Sequence, residues 1–290
     1  MELSVIIVSY NVSSFLRNCL HSLIQATAAI KSEIIVIDNN SSDDSCPVVS
    51  NEFPSVTLIR NKTNRGFASA NNQGIRISAG RYVLLLNPDT IVPDGTIVKC
   101  LTFMDQHPDA GALGIKMTDG DGDYLPESKR SFPGIASAFC KSFGLAALFP
   151  HSPVLNRYYL TSVGIDETAY TEVIAGAFML IRRDVLEKTG LLDEDYFMYG
   201  EDIEMSYRIT KAGFRNYYFP EAKITHFKGK STSLDRYDDI LEFYRAMRIY
   251  VRKRYSEGSF KYSRNFLYTG IFFREAIALA VRFFRINSRV

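Results

Sequence analysis

The chain has 290 residues, 46% of them apolar, with a formal net charge of +2. That is enough for one large domain, or one domain with an appendage, and it excludes a disordered or low-complexity chain. The four cysteines, Cys19, Cys46, Cys100 and Cys140, show no metal or redox spacing and read as reduced thiols of a cytosolic protein.

Met1 leads almost directly into a strand, so no leader peptide is expected. No run of about 18 apolar residues lacks charge, so no membrane span is expected. The charge is uneven: residues 240–290 hold 11 Lys/Arg against 3 Asp/Glu, while the rest is net acidic. A basic tail on an acidic body points to an anionic partner for the tail.

In chain order, residues 3–10 (LSVIIVSY) form a buried strand by their Val/Ile run, followed by a helix carrying Phe15, Cys19, Leu20, Leu23 and Ile24. Residues 33–38 (EIIVID) give a second strand that ends in Asp38 and a polar loop. Residues 56–61 give a third, 66–78 a helix, 81–87 a fourth strand, 95–106 a helix and 111–117 another strand. Strands alternating with helices predict a mostly parallel sheet covered on both faces.

Residues 118–170 are rich in Gly, Pro, Asp and Ser and read as a long irregular insertion, a kind that is usually functional. Regularity returns at 172–183, then a helix near 200–213 and short strands near 216–219 and 223–227.

In open α/β sheets ligands bind beyond the carboxyl ends of the strands. Asp38 and Asp89 both stand at such ends, the latter after an apolar run and Pro88, which stops the strand. Either could instead be a turn or cap residue. In YGEDIEMSYR (199–208), Glu201, Asp202 and Glu204 crowd the first turn of a helix. They complement the helix dipole, but the aromatic residues around them also suit a general base. His226 ends a short strand ahead of Lys228 and Lys230, and an Asp, a His and a diphosphate can share a divalent cation. No G-x-G-x-x-G follows the first strand, Ile224 replaces the first glycine of a P-loop, and no Gly-rich nucleotidyltransferase loop is present.

VSYN, IDNNSSDDS, NRGFASANNQGI, LLLNPDT, AGAFMLIRRD, FMYGEDIEMSYR and THFKGKS, in that order over residues 2–230, resemble the family 2 inverting glycosyltransferases, in their rhamnosyltransferase-like branch. The resemblance implies an α/β GT-A (Rossmann-like) fold, a mostly parallel sheet flanked by helices. It implies Val8, Ser9, Tyr10 and Asp38 around the nucleotide, and Asn64, Arg65, Gly66, Asn71 and Asn87 around the nucleotide-sugar. It implies Asp89 and His226 on Mg²⁺ or Mn²⁺, Asp202 as catalytic base with Glu201 beside it, and Gly176 near the acceptor. Many relatives have Asp-x-Asp where this chain has Asn87-Pro88-Asp89, which offers a cation less charge.

The implied donor is a nucleotide-diphosphate sugar and the implied acceptor a lipid-linked or polysaccharide hydroxyl, with no nucleic acid. A non-catalytic nucleotide-sugar binder within a polysaccharide assembly system is the rival.

The expected division is 1–235 for the catalytic domain and 236–290 for a basic, amphipathic helical appendage. At ~100° per residue, Arg264, Arg274, Glu275, Arg282 and Arg285 share one arc of a helix over 264–286 and the rest of its surface is apolar. Such a helix lies in a membrane interface, with Arg245, Arg248, Arg252, Lys253 and Arg254 adding charge toward anionic lipid. Packing on the body or on a second subunit, as in a homodimer, is the alternative. The expected place is the cytoplasm, peripheral at the inner face of the plasma membrane.

Overall fold

The structure is a computed structural model, and it describes residues 1–134, 157–227, 237–255 and 261–287. The strands are β1 Leu3–Ser9, β2 Ser32–Asp38, β3 Thr57–Arg60, β4 Tyr82–Leu86, β5 Thr90–Ile91, β6 Ala110–Thr118, β7 Ala169–Thr171, β8 Phe178–Arg182 and β9 Arg215–His226. The helices are α1 Ser13–Thr27, α2 Ser45–Glu52, α3 Phe67–Ile77, α4 Thr96–Gln106, α5 Arg183–Thr189, α6 Glu201–Lys211, α7 Tyr237–Arg254 and α8 Lys261–Asn287. Cys140, Lys228 and Lys230 lie outside the described residues, as does the side chain of Arg285.

The strands form one sheet in the order β3-β2-β1-β4-β8-β6-β9-β5, with β7 also on β9. The first four are mutually parallel. Every residue of β1 and β4 is buried, because helices cover both faces and a continuous Val/Ile/Leu run is the sequence that such a strand requires. Alternate residues feed two apolar layers. Leu3, Val5 and Ile7 pack with α1, α2 and α4, whereas Ile6 and Val8 pack with α3, α5 and α6.

β8 runs antiparallel to both β4 and β6. Its pairing of Phe178 with Leu86 brings the two residues before it, Gly176 and Ala177, to the carboxyl end of β4. This antiparallel insertion positions the site.

Two expectations change. The short strands near 216–219 and 223–227 are one strand, β9, whose pairing with β6 jumps from Ile115↔Phe219 to Lys116↔Lys223. Pro220 falls in the skipped stretch and has no N–H for the ladder. The loop after Asp38 also runs into a helix, α2, with Pro47 tolerated in its first turn.

α7 lies against the body. Ala246 and Ile249 bury Tyr196, and Tyr250 donates to the Pro133 carbonyl at 3.2 Å. The basic residues expected to meet lipid are engaged within the chain: Arg248 with Glu275 (2.6 Å), Arg245 with Glu242 (3.2 Å), Arg252 with Asp195 (3.1 Å), and Lys253 with Asp193 and Asp195. The Arg254 guanidinium lies over the Tyr207 ring at 3.3 Å. Among the described residues no helix is long and apolar enough to cross a membrane.

Candidate active site

The register places the carboxyl ends of the parallel strands on one edge: Ser9 opposite Asp38, and Ile7 opposite Leu86 with Asn87 just beyond. Val8 and Ser9 are buried, and Tyr10 is 38% exposed at the rim. Asp38 is buried; its Oδ2 accepts from the Ser41 N–H at 3.0 Å, and its Oδ1 has no hydrogen-bond partner. Burial and the nearby Asp38 carboxylate push the Cys46 thiol up to about 11.

The next residue, Asn39, was not singled out from sequence, yet it organises this corner. Its Nδ2 donates to Asn64 Oδ1 (2.9 Å) and to the Gly66 carbonyl (3.1 Å), and its Oδ1 accepts from Asn61 Nδ2 (3.0 Å) and the Arg65 N–H (3.2 Å). It thereby ties the end of β2 to the loop carrying Asn64, Arg65 and Gly66. Gly66 has φ +79°, and a Cβ there would run into the Phe197 carbonyl and lie 2.7 Å from its ring. Only glycine allows this approach. Phe67 N–H donates to the same carbonyl at 2.6 Å. Asn71 is buried and donates to the Phe67 carbonyl within its own helix (2.9 Å). Its neighbour Asn72 clamps the loop between α5 and α6, donating to the Leu192 carbonyl (2.8 Å) and accepting the Leu192 N–H (3.0 Å).

Beyond β4, Asp89 is buried and its Oδ1 lies 3.3 Å from His226 Nε2. The pairing of β5 with β9, Thr90 opposite His226, creates this meeting, and the Phe227 N–H donates to the Asp89 carbonyl at 2.9 Å. Asn87 Nδ2 lies 3.4 Å from the same His226 nitrogen. The other ring nitrogen, Nδ1, is buried without a hydrogen-bond partner. Among the described residues no group of three or more His, Cys, Asp or Glu could hold a metal. One carboxylate and one imidazole would fit a divalent cation only if substrate phosphate and water supplied its remaining ligands. Cys19 lies nearby, 3.5 Å from Thr90 Oγ1, but burial pushes its thiol up to about 12 and Asp89 adds to the rise.

Asp202 and Glu201 open α6. Tyr199 (φ +68°) and Gly200 (φ +88°) precede them, both in the left-handed region. For a tyrosine this is strained, and packing holds it: the Tyr199 ring meets Phe243 of α7 edge-on at 5.7 Å. Asp202 Oδ2 accepts from Arg130 Nη2 at 2.6 Å and from the Gly176 N–H at 3.3 Å; Oδ1 accepts from the Ile203 N–H at 2.8 Å. Glu201 is buried with Oε2 unbonded. Burial, reinforced by Asp202, pushes its carboxyl well above the usual carboxylate range. The two adjacent carboxyls thus have different surroundings.

The sequence-predicted residues therefore converge on one edge of the sheet. Gly176 touches Asp202, and the neighbouring Ala177 carbonyl accepts the Asn87 N–H at 3.1 Å. Arg130, like Asn39, is a site residue that sequence reasoning missed. It sits in the irregular insertion, where no periodicity marks it.

Known proteins resemble this chain in sequence and in fold. A mycobacterial N-acetylglucosaminyl-diphospho-decaprenol L-rhamnosyltransferase (Mycobacterium tuberculosis) is 29% identical over 265 residues, 88% of this chain and 85% of the relative. Rhamnosyltransferase WbbL of Escherichia coli K12 is 28% identical over 146 residues, 50% of this chain and 52% of the relative. Mannosyltransferase PcManGT from Pyrobaculum calidifontis, solved in complex with GDP-Man and Mn²⁺, superposes with a TM-score of 0.61 at 18% identity, covering 97% of this chain and 74% of that one. The family model described as glycosyl transferase family 2 matches residues 4–190, the span from β1 through α5 that carries Asp38 and Asp89, and the chain belongs to that family.

Proposed function

We propose that this family 2 glycosyltransferase moves a sugar from a nucleotide-diphosphate sugar, dTDP-rhamnose or a UDP-hexose, to a hydroxyl of a lipid-linked or polysaccharide acceptor in cell-surface glycan synthesis, with inversion. The observation that carries the reading is the junction at Gly176 and Ala177. One donates to Asp202 and the other accepts from Asn87, which supports a proposed base and a proposed diphosphate corner that adjoin through one stretch of backbone. The mycobacterial relative is named for rhamnosyl transfer to a diphospho-decaprenol-linked sugar, which supports rhamnose and a lipid-linked acceptor.

In this mechanism Asp38, with Oδ1 free to accept a hydrogen bond, holds the ribose, and Tyr10 and Ser9 border the base. Asn64, Arg65 and Gly66 line the sugar side, held in place by Asn39. Asp89 and His226 would hold Mg²⁺ or Mn²⁺, which would supply positive charge to neutralise the charge growing on the leaving diphosphate. Asp202 takes the acceptor proton as the hydroxyl oxygen bonds to the anomeric carbon and the bond to the diphosphate breaks. A single displacement needs one base and no enzyme nucleophile.

The test is incubation with labelled dTDP-rhamnose and UDP-hexoses plus a diphospholipid-linked N-acetylglucosamine, with the product anomer read by NMR. Transfer with inversion is expected. A donor that raises the melting temperature but is never consumed would instead favour the non-catalytic binder.

We also infer peripheral contact with the inner face of the plasma membrane through α8. Its inner side packs on α7 through Ile271, and Phe266, Phe272, Phe273, Ile277, Val281 and Phe284 are 48–69% exposed. A contiguous exposed apolar face marks a lipid or protein partner. The free thiols Cys19, Cys46 and Cys100 suit a reducing cytoplasm.

A further inference from the structure

We infer that Arg130 is the positioning residue of the transfer reaction: it occupies one oxygen of Asp202 and leaves the other to receive the acceptor proton. The inference rests on Asp202 being the base.

The backbone around Arg130 is fixed independently of its side chain. Arg130 pairs with Val173 in an isolated bridge. Its N–H donates to Thr171 Oγ1 (3.2 Å), and its carbonyl accepts from the Thr171 hydroxyl (3.0 Å) and the Val173 N–H (2.9 Å). The preceding Lys129 turns elsewhere, its ammonium donating to the Leu160 and Val163 carbonyls. From this frame the Arg130 guanidinium reaches Asp202 Oδ2 at 2.6 Å, with both side chains only 13% exposed. Tyr158 steadies the far side, its hydroxyl 3.4 Å from Nη1. Burial opposes the charge on Arg130, but Asp202 and Tyr158 outweigh it and raise the guanidinium above its ordinary value.

The lone pairs decide which oxygen reacts. A carboxylate oxygen accepts about two hydrogen bonds. Oδ2 already takes two, from Arg130 and from the Gly176 N–H, whereas Oδ1 takes one, from the Ile203 N–H. The spare position on Oδ1 is therefore the place for the acceptor O–H. During transfer that proton moves to Oδ1, the acceptor oxygen bonds to the anomeric carbon, and the diphosphate leaves with the electron pair of the broken bond. Glu201 is the other carboxyl of the motif. It has no such clamp, and its Oε2 is unbonded.

A purely structural ion pair would anchor the insertion to α6 without controlling the chemistry. Three readouts separate the two roles. The full-length chain carrying Arg130→Ala is expected to lose on the order of 10²-fold in kcat, with the KM for the nucleotide-sugar nearly unchanged. Added guanidinium at non-denaturing concentration should restore part of the rate, whereas urea, its neutral counterpart, should not. Arg130→Lys should fall between the two, because a point cation lacks the planar fork but keeps the charge.

Unchanged kcat in Arg130→Ala would overturn the inference. So would a raised donor KM at constant kcat, or a folded Arg130→Ala protein that neither guanidinium nor the Lys variant rescues. Asp202→Asn, assayed in parallel, separates the two layers: if it alone is inactive and Arg130→Ala is not, the base stands and the positioning role falls. If Asp202→Asn is active, the base itself is misassigned.

Discussion

The Asn87 N–H donates to the Ala177 carbonyl at 3.1 Å. This bond ties the end of the central parallel strand to the entry of the antiparallel one. It matters because Asp89 lies two residues from Asn87, and Gly176, which holds Asp202, is next to Ala177. The proposed cation corner and the proposed base are therefore joined by one hydrogen-bonded seam, and perturbing either end is expected to have distinguishable effects.

The cation corner makes the first prediction. Asp89→Ala and His226→Ala should each cut transfer on the order of 10²–10³-fold, and excess chelator should do the same to the unmodified protein. Mn²⁺ titration in the presence of UDP, followed by its paramagnetic resonance, should show binding that either substitution weakens. Full transfer in chelator would remove the cation from the mechanism.

Glu201 predicts how stability depends on pH. Its carboxyl, ordinarily near 4.5, is pushed up to about 8 in the fold by burial and by Asp202. Between those two values the folded state keeps a proton that the unfolded state releases, so this group's contribution to stability falls as pH rises through the window and levels off above about 8. Glu201→Gln, which imitates the protonated form, should flatten that slope. Urea unfolding at pH 5, 6.5 and 8 measures it; identical slopes in both proteins would contradict the assignment.

Gly66→Ala tests the donor loop. The positive φ and the Phe197 carbonyl leave no room for a Cβ, so the substitution should cost about 1 kcal/mol or more. It should also raise the KM for the nucleotide-sugar, because Asn39 and Asn64 are bonded to the same turn. A melting temperature equal to wild type would show that the loop yields freely.

Removal of residues 263–290 should abolish co-sedimentation with anionic vesicles while leaving nucleotide-sugar binding intact. The outward phenylalanines of α8 are the motive. If the full chain ignores such vesicles and sizing shows a dimer that the truncation dissolves, the apolar face belongs to a second subunit.

Much of this layout is legible from residue order because the fold obeys local rules. Val/Ile/Leu runs make strands buried on both faces, and the carboxyl ends of parallel strands collect their loops on one edge. Asp38 and Asp89 follow from that logic, as does His226 at the end of β9. Other features depend on pairings distant in the chain. Asn39 looks like any loop asparagine until Asn61, Asn64 and Gly66 fold around it. Arg130, inside a segment with no periodic signal, pairs with a residue 72 positions away. The basic residues 245–254 read as a lipid-facing cluster because their acidic partners, Asp193, Asp195 and Glu275 among them, are remote in sequence. The jump in β9 needed the sheet partner as well as Pro220 to be seen.

The central claim is that Asp202 removes the proton from the acceptor hydroxyl. Replacement by Asn keeps the shape and removes the basicity. The decisive measurement is the single-turnover rate of sugar transfer by Asp202→Asn, taken beside its affinity for the nucleotide-sugar. A loss on the order of 10²–10⁴ in rate with affinity unchanged is the predicted result, and transfer near the wild-type rate would contradict the account.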